Sequence, residues 1–394
     1  MPVNVAIIGA GMYVCGAGTR GHGTVLPAVL QASRDGLVGR VCVAARRREA
    51  IRHFDVKLRE LEALQGFKLD CATYPRHDDD SNAYKAAIRD LPDPGAVIVV
   101  TPDHLHAEIA MEAIAAGKHV LVAKPLAPTV AQARMLADAA KERGVYGAVE
   151  FHKRWDFANR QLKEMVCSGA VGRPLYFHVE YSQRSEIPAS AFASWVEKTS
   201  VFQYLGVHYV DIIRFVTGAV PRRVMALGQW ARLAETGADA ADAMQVVVEW
   251  DQGFVSTLLT NWIDPATSTA MSQQAIKIVG TEGRIESDQT DRGLSVVNEG
   301  RCLEKINPYF CRAYRDETDG RLSYLGYGID SIRQFLSDVD DVAEKRRSLC
   351  DLAACRPTFE EGVLSTAVIE GAELSLRRGG QWVGFGDGMQ PVAD

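Results

Sequence analysis

Val3-Asn4-Val5-Ala6-Ile7-Ile8-Gly9-Ala10-Gly11 opens the chain with an apolar run that ends in two closely spaced glycines. A continuous apolar run of this length reads as a strand buried on both faces, the pattern of a parallel sheet. The two glycines permit a tight turn and let the backbone approach a pyrophosphate. The dinucleotide fingerprint would place its third glycine at position 14, where this chain has Val14. Gly16, Gly18, Gly21 and Gly23 follow before a helical pattern resumes at Val25, so the turn carries an insertion from Met12 to Gly23. Its glycines allow backbone N–H groups to face phosphate, with Arg20 and His22 adding charge; alternatively it projects away, towards another subunit. Gly9, Gly11 and Met12 are the expected cofactor contacts here.

Outward from this turn, strands and helices alternate. The second strand, Val38 to Ala45, ends in Ala44-Ala45-Arg46-Arg47-Arg48. Dinucleotide folds that take NAD place a carboxylate at this tip for the ribose hydroxyl. None is present, and guanidinium groups suit a 2′-phosphate, so Arg46 and Arg47 predict NADP, with NAD as the alternative. Ala96 to Val100 is a buried strand ending at Thr101-Pro102-Asp103-His104-Leu105-His106. The two histidines lack a further ligand cluster, so no metal is expected. Thr101, Pro102, His104 and His106 are read as a turn beside the cofactor. His119-Val-Leu-Val-Ala-Lys-Pro-Leu126 then runs apolar up to Lys124 and stops at Pro125, which has no N–H and pushes Lys124 towards extended backbone. Ligands bind at the carboxyl ends of strands in such sheets, so Lys124 projects an ammonium into the crevice. Val145 to Glu150 is the last strand of this half. The fold class expected is an α/β Rossmann domain with a doubly wound parallel sheet over residues 1–149, followed by an α+β domain over 150–394.

Length supports two domains: 394 residues, 47% hydrophobic and 24% charged, suit a globular enzyme with a large core. A formal net charge of −6 gives no general attraction to nucleic acid or anionic membrane. No apolar run reaches the roughly 18 residues of a membrane span. The eight cysteines form no Cys-x-x-Cys pair, which fits a reducing cytoplasm.

In the second half, Asn159 to Ser168 reads as a helix and Pro174 to Gln183 as a strand. Arg184 to Ser200 reads as a loop over the site, carrying Pro188 and Trp195; the indole either stacks on a sugar face or simply packs. Val201 to Phe215 has helical spacing, which puts Tyr204 and His208 on one face, with Asp211 able to pair with His208. Arg223 to Gly228, Ala243 to Asp251, Phe254 to Trp262 and Gln274 to Val279 read as strands, with a hairpin turn at Asp251-Gln252-Gly253. Asn307 to Gly328 is an aromatic, charged excursion near the site or at a subunit contact. Ile329 to Glu344 and Phe359 to Arg377 are helical, and the tail after Gly379 is extended.

Gly9-Ala10-Gly11, Thr101-Pro102-Asp103-His104-Leu105-His106, Ala123-Lys124-Pro125, Phe151-His152-Lys153-Arg154-Trp155-Asp156 and Gly206-Val207-His208-Tyr209-Val210-Asp211 occur in that order. Together they resemble the glucose–fructose oxidoreductase / inositol dehydrogenase / MocA family over nearly the whole chain. The resemblance implies a Rossmann domain, then an open, mostly antiparallel sheet with helices on one face. It also implies NAD(P)-dependent hydride transfer at a secondary alcohol or ketone of a sugar, glycoside or cyclitol, and a homo-oligomer, dimer or tetramer. It carries catalytic roles onto Lys124 and His208, with Tyr204 at the place of the family's acid, and substrate contacts onto His152, Arg154 and Trp155 as well; Trp195, in the loop over the site, is a further candidate contact. An imidazole titrating near about 6.5 makes His208 the expected base and Lys124 the positioning cation, the roles exchanging if burial lowers the lysine. Two departures stand out: the family's common Glu-Lys-Pro is Ala123-Lys124-Pro125, and its acid four residues before the histidine is Tyr204. Other readings remain open. One is transient ring oxidation with tightly held cofactor, enabling elimination or epimerisation. Another is a non-catalytic cofactor-binding sensor, against which the presence of both Lys124 and His208 argues.

Overall fold

The structure, a computed structural model, describes residues 2–300 and 302–393. Six strands build the first sheet: β1 Val3–Ile8, β2 Val38–Ala44, β3 Cys71–Tyr74, β4 Gly95–Val99, β5 His119–Ala123 and β6 Gly147–Glu150. They are all parallel, in the order β3-β2-β1-β4-β5-β6. Every residue of β4 is buried, as a strand covered on both faces requires. The order reverses between β1 and β4, and the crevice outside such a switch point is where a doubly wound sheet takes its ligand.

The second sheet has eight strands: β7 Pro174–Arg184, β8 Pro221–Gln229, β9 Ala243–Trp250, β10 Val255–Asp264, β11 Ser272–Gly280, β12 Arg284–Asp288, and, later in the chain, Val383–Phe385 and Pro391–Ala393. Its pairs are antiparallel except β7 with β10. The expected hairpin turn is present, with Gly253 at φ +84°. The tail, expected to be extended, adds two short strands at the β8 edge.

The chain divides into two compact units, Met1–Leu126, Gln132–Trp155 and Tyr309–Gly362 against Ala127–Ala131, Asp156–Pro308 and Val363–Asp394. The boundary expected at 149/150 thus falls near Trp155, and Tyr309–Gly362 returns to the first unit. The reason is legible in the helix Tyr327–Ala343. Its apolar face, Ile329, Ile332, Phe335, Leu336 and Val339, packs in one core with Val3, Ile7, Leu26, Leu121 and Tyr146. Burying that face stabilises the unit by about 1.5–3 kcal/mol per large side chain. No helix among the described residues is long and apolar enough to cross a membrane.

Candidate active site

Each glycine of the first turn has its own reason. A Cβ on Gly9, at φ +128°, would lie 2.0 Å from the Val100 carbonyl oxygen, so β4 can end beside β1 only with glycine there. A Cβ on Gly11 would meet nothing within 4 Å, which leaves open backbone for a phosphate to approach. Met12–Cys15 forms one helical turn behind it, with Val14 fully buried. The close packing that a glycine at 14 would serve comes from the other side: a Cβ on Gly23 would sit 2.6 Å from the Val14 carbonyl. The Met12–Gly23 insertion is tied down within its unit. Lys57 Nζ donates to the Thr19 carbonyl (3.0 Å), and His22 Nδ1 meets the Tyr324 hydroxyl (2.8 Å). His22 is therefore turned into the fold, not towards phosphate, while Arg20 is exposed.

At the tip of β2, Arg46 and Arg47 are exposed. Arg48 is committed elsewhere: its Nη1 donates to the Pro75 carbonyl (2.9 Å) and its backbone N–H to Asp79 Oδ1 (2.8 Å). The acidic turn His77-Asp78-Asp79-Asp80 thus comes against this tip, with the Asp80 N–H on the Arg46 carbonyl (2.9 Å).

At the end of β4, Asp103–Leu105 forms a short turn with Asp103 buried. His106 has no exposed surface; its Nδ1 meets the Pro125 carbonyl (2.8 Å) and its Nε2 the Thr101 carbonyl (2.9 Å). Its ring therefore fastens the ends of β4 and β5 together from inside, rather than lining the crevice. Thr101, Pro102 and His104 remain partly exposed on this turn. Lys124 follows β5 directly, and its peptide to Pro125 is cis. Burial lowers the Lys124 ammonium to about 8, against the opposing pull of Asp103 and Glu150.

Glu150, at the end of β6, gathers the polar groups of this unit. It is 5% exposed, and a carboxylate so buried must be bonded. Oε1 accepts from the Tyr13 hydroxyl (2.9 Å) and the Ser331 hydroxyl (2.7 Å), and Oε2 contacts His152 Nδ1 (2.9 Å). Tyr13, Phe310 and Tyr327 surround the His152 ring at centroid distances of 6.2, 5.2 and 5.6 Å. Burial, then Glu150, raises the Tyr13 phenol well above its ordinary value, so it stays a neutral donor. Arg154, expected at the substrate, is buried with Nη2 on Glu361 (3.0 Å). Trp155 borders a small cavity it shares with Glu150, Ser331 and Asp338.

In the second unit the expected helix is present, but its first turn, Phe202–Gly206, is π-wound before the regular Val207–Thr217. π-turns recur at functional sites. A Cβ on Gly206 would lie 2.2 Å from the Phe202 ring, so glycine is what lets this turn close. The wide turn carries Tyr204, and the regular helix carries His208, 4% exposed. The His208 ring lies 6.2 Å from Tyr181, and Asp211 is buried. Trp195 and Tyr204 both pack on Phe192, at 4.5 and 4.6 Å, so the indole joins an aromatic cluster with Tyr204.

Sequence reasoning missed Glu150, Tyr13, Ser331 and the Asp79 turn. Glu150 did carry a signal, the one that singled out Lys124: a charged group closing an apolar strand at the carboxyl edge. Ser331 carried none.

Residues 3–151 match an oxidoreductase family with an NAD-binding Rossmann fold, and residues 159–286 match a GFO/IDH/MocA C-terminal domain. The chain is 31% identical over 203 residues to 1,5-anhydro-D-fructose reductase of Ensifer adhaerens, covering 49% of this chain and 57% of that protein. It is 31% identical over 174 residues to levoglucosan dehydrogenase of Pseudarthrobacter phenanthrenivorans, covering 43% and 45%. The chain thus spans about half the length of these relatives. An inositol dehydrogenase homolog of Azotobacter vinelandii superposes with a TM-score of 0.71 at 20% identity over 98% of both chains, a likeness of fold. With both halves matched in order on a parallel Rossmann sheet and a mostly antiparallel second sheet, the chain belongs to the GFO/IDH/MocA family of oxidoreductases.

Proposed function

We propose that this chain is an NADP-preferring dehydrogenase or reductase acting on a secondary alcohol or ketone of a sugar, glycoside or cyclitol. The observation that carries this reading is Lys124: an ammonium at the end of a central strand of an NAD-binding fold, lowered to about 8 by burial. The names of the two relatives support the sugar class. The open backbone at Gly11 fits a dinucleotide, which Gly9, Gly11 and Met12 would hold at the pyrophosphate, with Thr101, Pro102 and His104 along the turn. When bound, the nicotinamide supplies a hydride acceptor or donor. Lys124, protonated, holds the substrate oxygen and stabilises the alkoxide that develops on it. His208 takes or returns the hydroxyl proton. Tyr204 hydrogen-bonds substrate as a neutral phenol, and His152, Trp155 and Trp195 shape its surroundings. Arg46 and Arg47 pair with the 2′-phosphate.

A homo-oligomer, dimer or tetramer, forms through one face of the eight-stranded sheet. Val247, Met225 and Leu259 are only partly covered there, and Leu227 and Tyr176 are 48% and 44% exposed. Light scattering that finds only monomer at micromolar concentration would remove this part of the reading. The main test is a panel of sugars, glycosides and inositols with each nicotinamide cofactor, followed by reduced-nicotinamide absorbance. Turnover with at least one of them, faster with NADP than with NAD, is expected. A silent panel, with cofactor binding shown by fluorescence, would point to a sensor instead.

A further inference from the structure

We propose that Glu150 is the positioning carboxylate of the first unit's site, holding Tyr13 of the cofactor turn, the His152 ring and the charge of Lys124 in register with one another. This rests on the reading of Lys124 as the cation that meets substrate.

The geometry begins with strand register. Parallel pairing sets Glu150 opposite Ala123, the residue before Lys124. Neighbouring strands lie about 4.8 Å apart, so a carboxylate at this position reaches the β5 end without any special loop. Its two oxygens are divided between neighbours. Oε1 takes two neutral hydroxyls, Tyr13 from the cofactor turn at 2.9 Å and Ser331 from the helix Tyr327–Ala343 at 2.7 Å. Oε2 takes His152 Nδ1 at 2.9 Å. A carboxylate accepts only, so Nδ1 carries the proton and the tautomer of a neutral His152 is fixed. The ring is then clamped in plane by Tyr327, whose ring lies 18° from parallel.

The charges around this pair are few. Lys124 faces Asp103 from the turn after β4 and Glu150 from β6, and both support its ammonium against burial. Glu150 itself faces Tyr13 and His152 besides Ser331. Asp338, deeper on the same helix and bordering the shared cavity, is neutralised by Arg356 at 2.6 and 3.0 Å, with Arg347 at 3.4 Å. Asp338 therefore adds little to the field at Lys124. A tyrosine on the cofactor turn and the substrate-side lysine share one buried carboxylate, so a disturbance of that turn reaches the lysine's charge.

The experiment reads the amine directly. The full-length protein is acylated briefly with acetic anhydride across a pH series, and Lys124 modification is quantified by peptide mass spectrometry. Wild type should show an inflection at about 8. Glu150→Gln, its fold checked by circular dichroism, should move that inflection down by about one unit, because a nearby opposite charge is lost. Glu150→Asp should restore most of the shift. An unchanged inflection in Glu150→Gln overturns the proposal. If Glu150→Gln does not fold, Lys124→Met serves only as the labelling blank. In that variant the ammonium is gone, so labelling moves to Tyr13→Phe, which removes one donor from Glu150 Oε1 and should move the Lys124 inflection. An unmoved inflection in Tyr13→Phe overturns the proposal. Labelling reports the amine whether or not any sugar is turned over, so a silent substrate panel and a failed proposal are separate results.

Discussion

Lys124 and His208 are the two groups expected to handle the substrate hydroxyl, and their settings are opposite in kind. Lys124 ends a strand among carboxylates: Asp103, buried, and Glu150, buried and triply bonded. His208 sits on a helix among aromatic rings, 6.2 Å from Tyr181 and next to Tyr209, with Asp211 three residues along. The first setting keeps a cation charged despite burial. The second provides packing and shape, with one carboxylate in sequence reach. The contrast suggests a division of labour in which charge is managed by the Rossmann unit and the proton by the second unit.

The largest effects should come from removing either group. Lys124→Met and His208→Ala are each expected to lower kcat by at least roughly a hundredfold, with the cofactor dissociation constant little changed. Near wild-type turnover in His208→Ala, with folded protein and saturating substrate, would break the division at its second half and leave the lysine as the base.

The pH dependence comes next and tests the charge of the lysine. The charged form is the active one if Lys124 is the cation, and it is charged below about 8. In the direction of alcohol oxidation, kcat/KM should therefore fall as pH rises through about 8, by up to about tenfold per unit. A rate that rises through the same range would assign the base role to Lys124.

Cofactor choice is a smaller effect. Arg46→Ala is expected to weaken NADP by about ten- to a hundredfold and NAD hardly at all, since one charge-assisted bond is worth about 1.5–3 kcal/mol. Equilibrium fluorescence titration measures it. The Asp79 turn beside this tip is what makes the result informative. Its carboxylate already accepts from the Arg48 N–H, and if wild type binds NAD as tightly as NADP, the acidic turn has outweighed the two exposed arginines.

The sequence was most legible where backbone chemistry and pattern agree. The apolar runs located β1, β4 and β5 with their ends to within a residue, because a strand covered on both faces leaves little choice of residue. Lys124 was readable for the same reason: a charge closing such a run has few places to be. The contacts of Glu150 were not readable, because they come from residues far apart in the chain, Tyr13 at one end and Ser331 near the other. The return of Tyr309–Gly362 to the first unit was hidden likewise. An amphipathic helix declares that one face is covered, but not by which sheet. His106 misled because a histidine after a strand looks the same whether it faces a ligand or bonds two carbonyls from within.

Tyr204 is the residue on which the contrast between the two settings is finest, and its removal should cost least. It lies on the π-wound turn Phe202–Gly206, with its ring against Phe192 at 4.6 Å and an interplanar angle of 70°. That packing uses the ring, not the hydroxyl, so Tyr204→Phe keeps the aromatic cluster with Trp195 and removes one oxygen. A neutral phenol cannot support an imidazolium as a carboxylate would, so little charge stabilisation is lost with it. What is lost is a hydrogen bond, worth about 0.5–1.5 kcal/mol, or about two- to tenfold. The loss should fall in kcat/KM, with the pH at which Lys124 titrates unmoved. A drop approaching that of His208→Ala would mean that the phenol itself carries the proton. The second unit would then pass the proton along its helix from His208 to Tyr204.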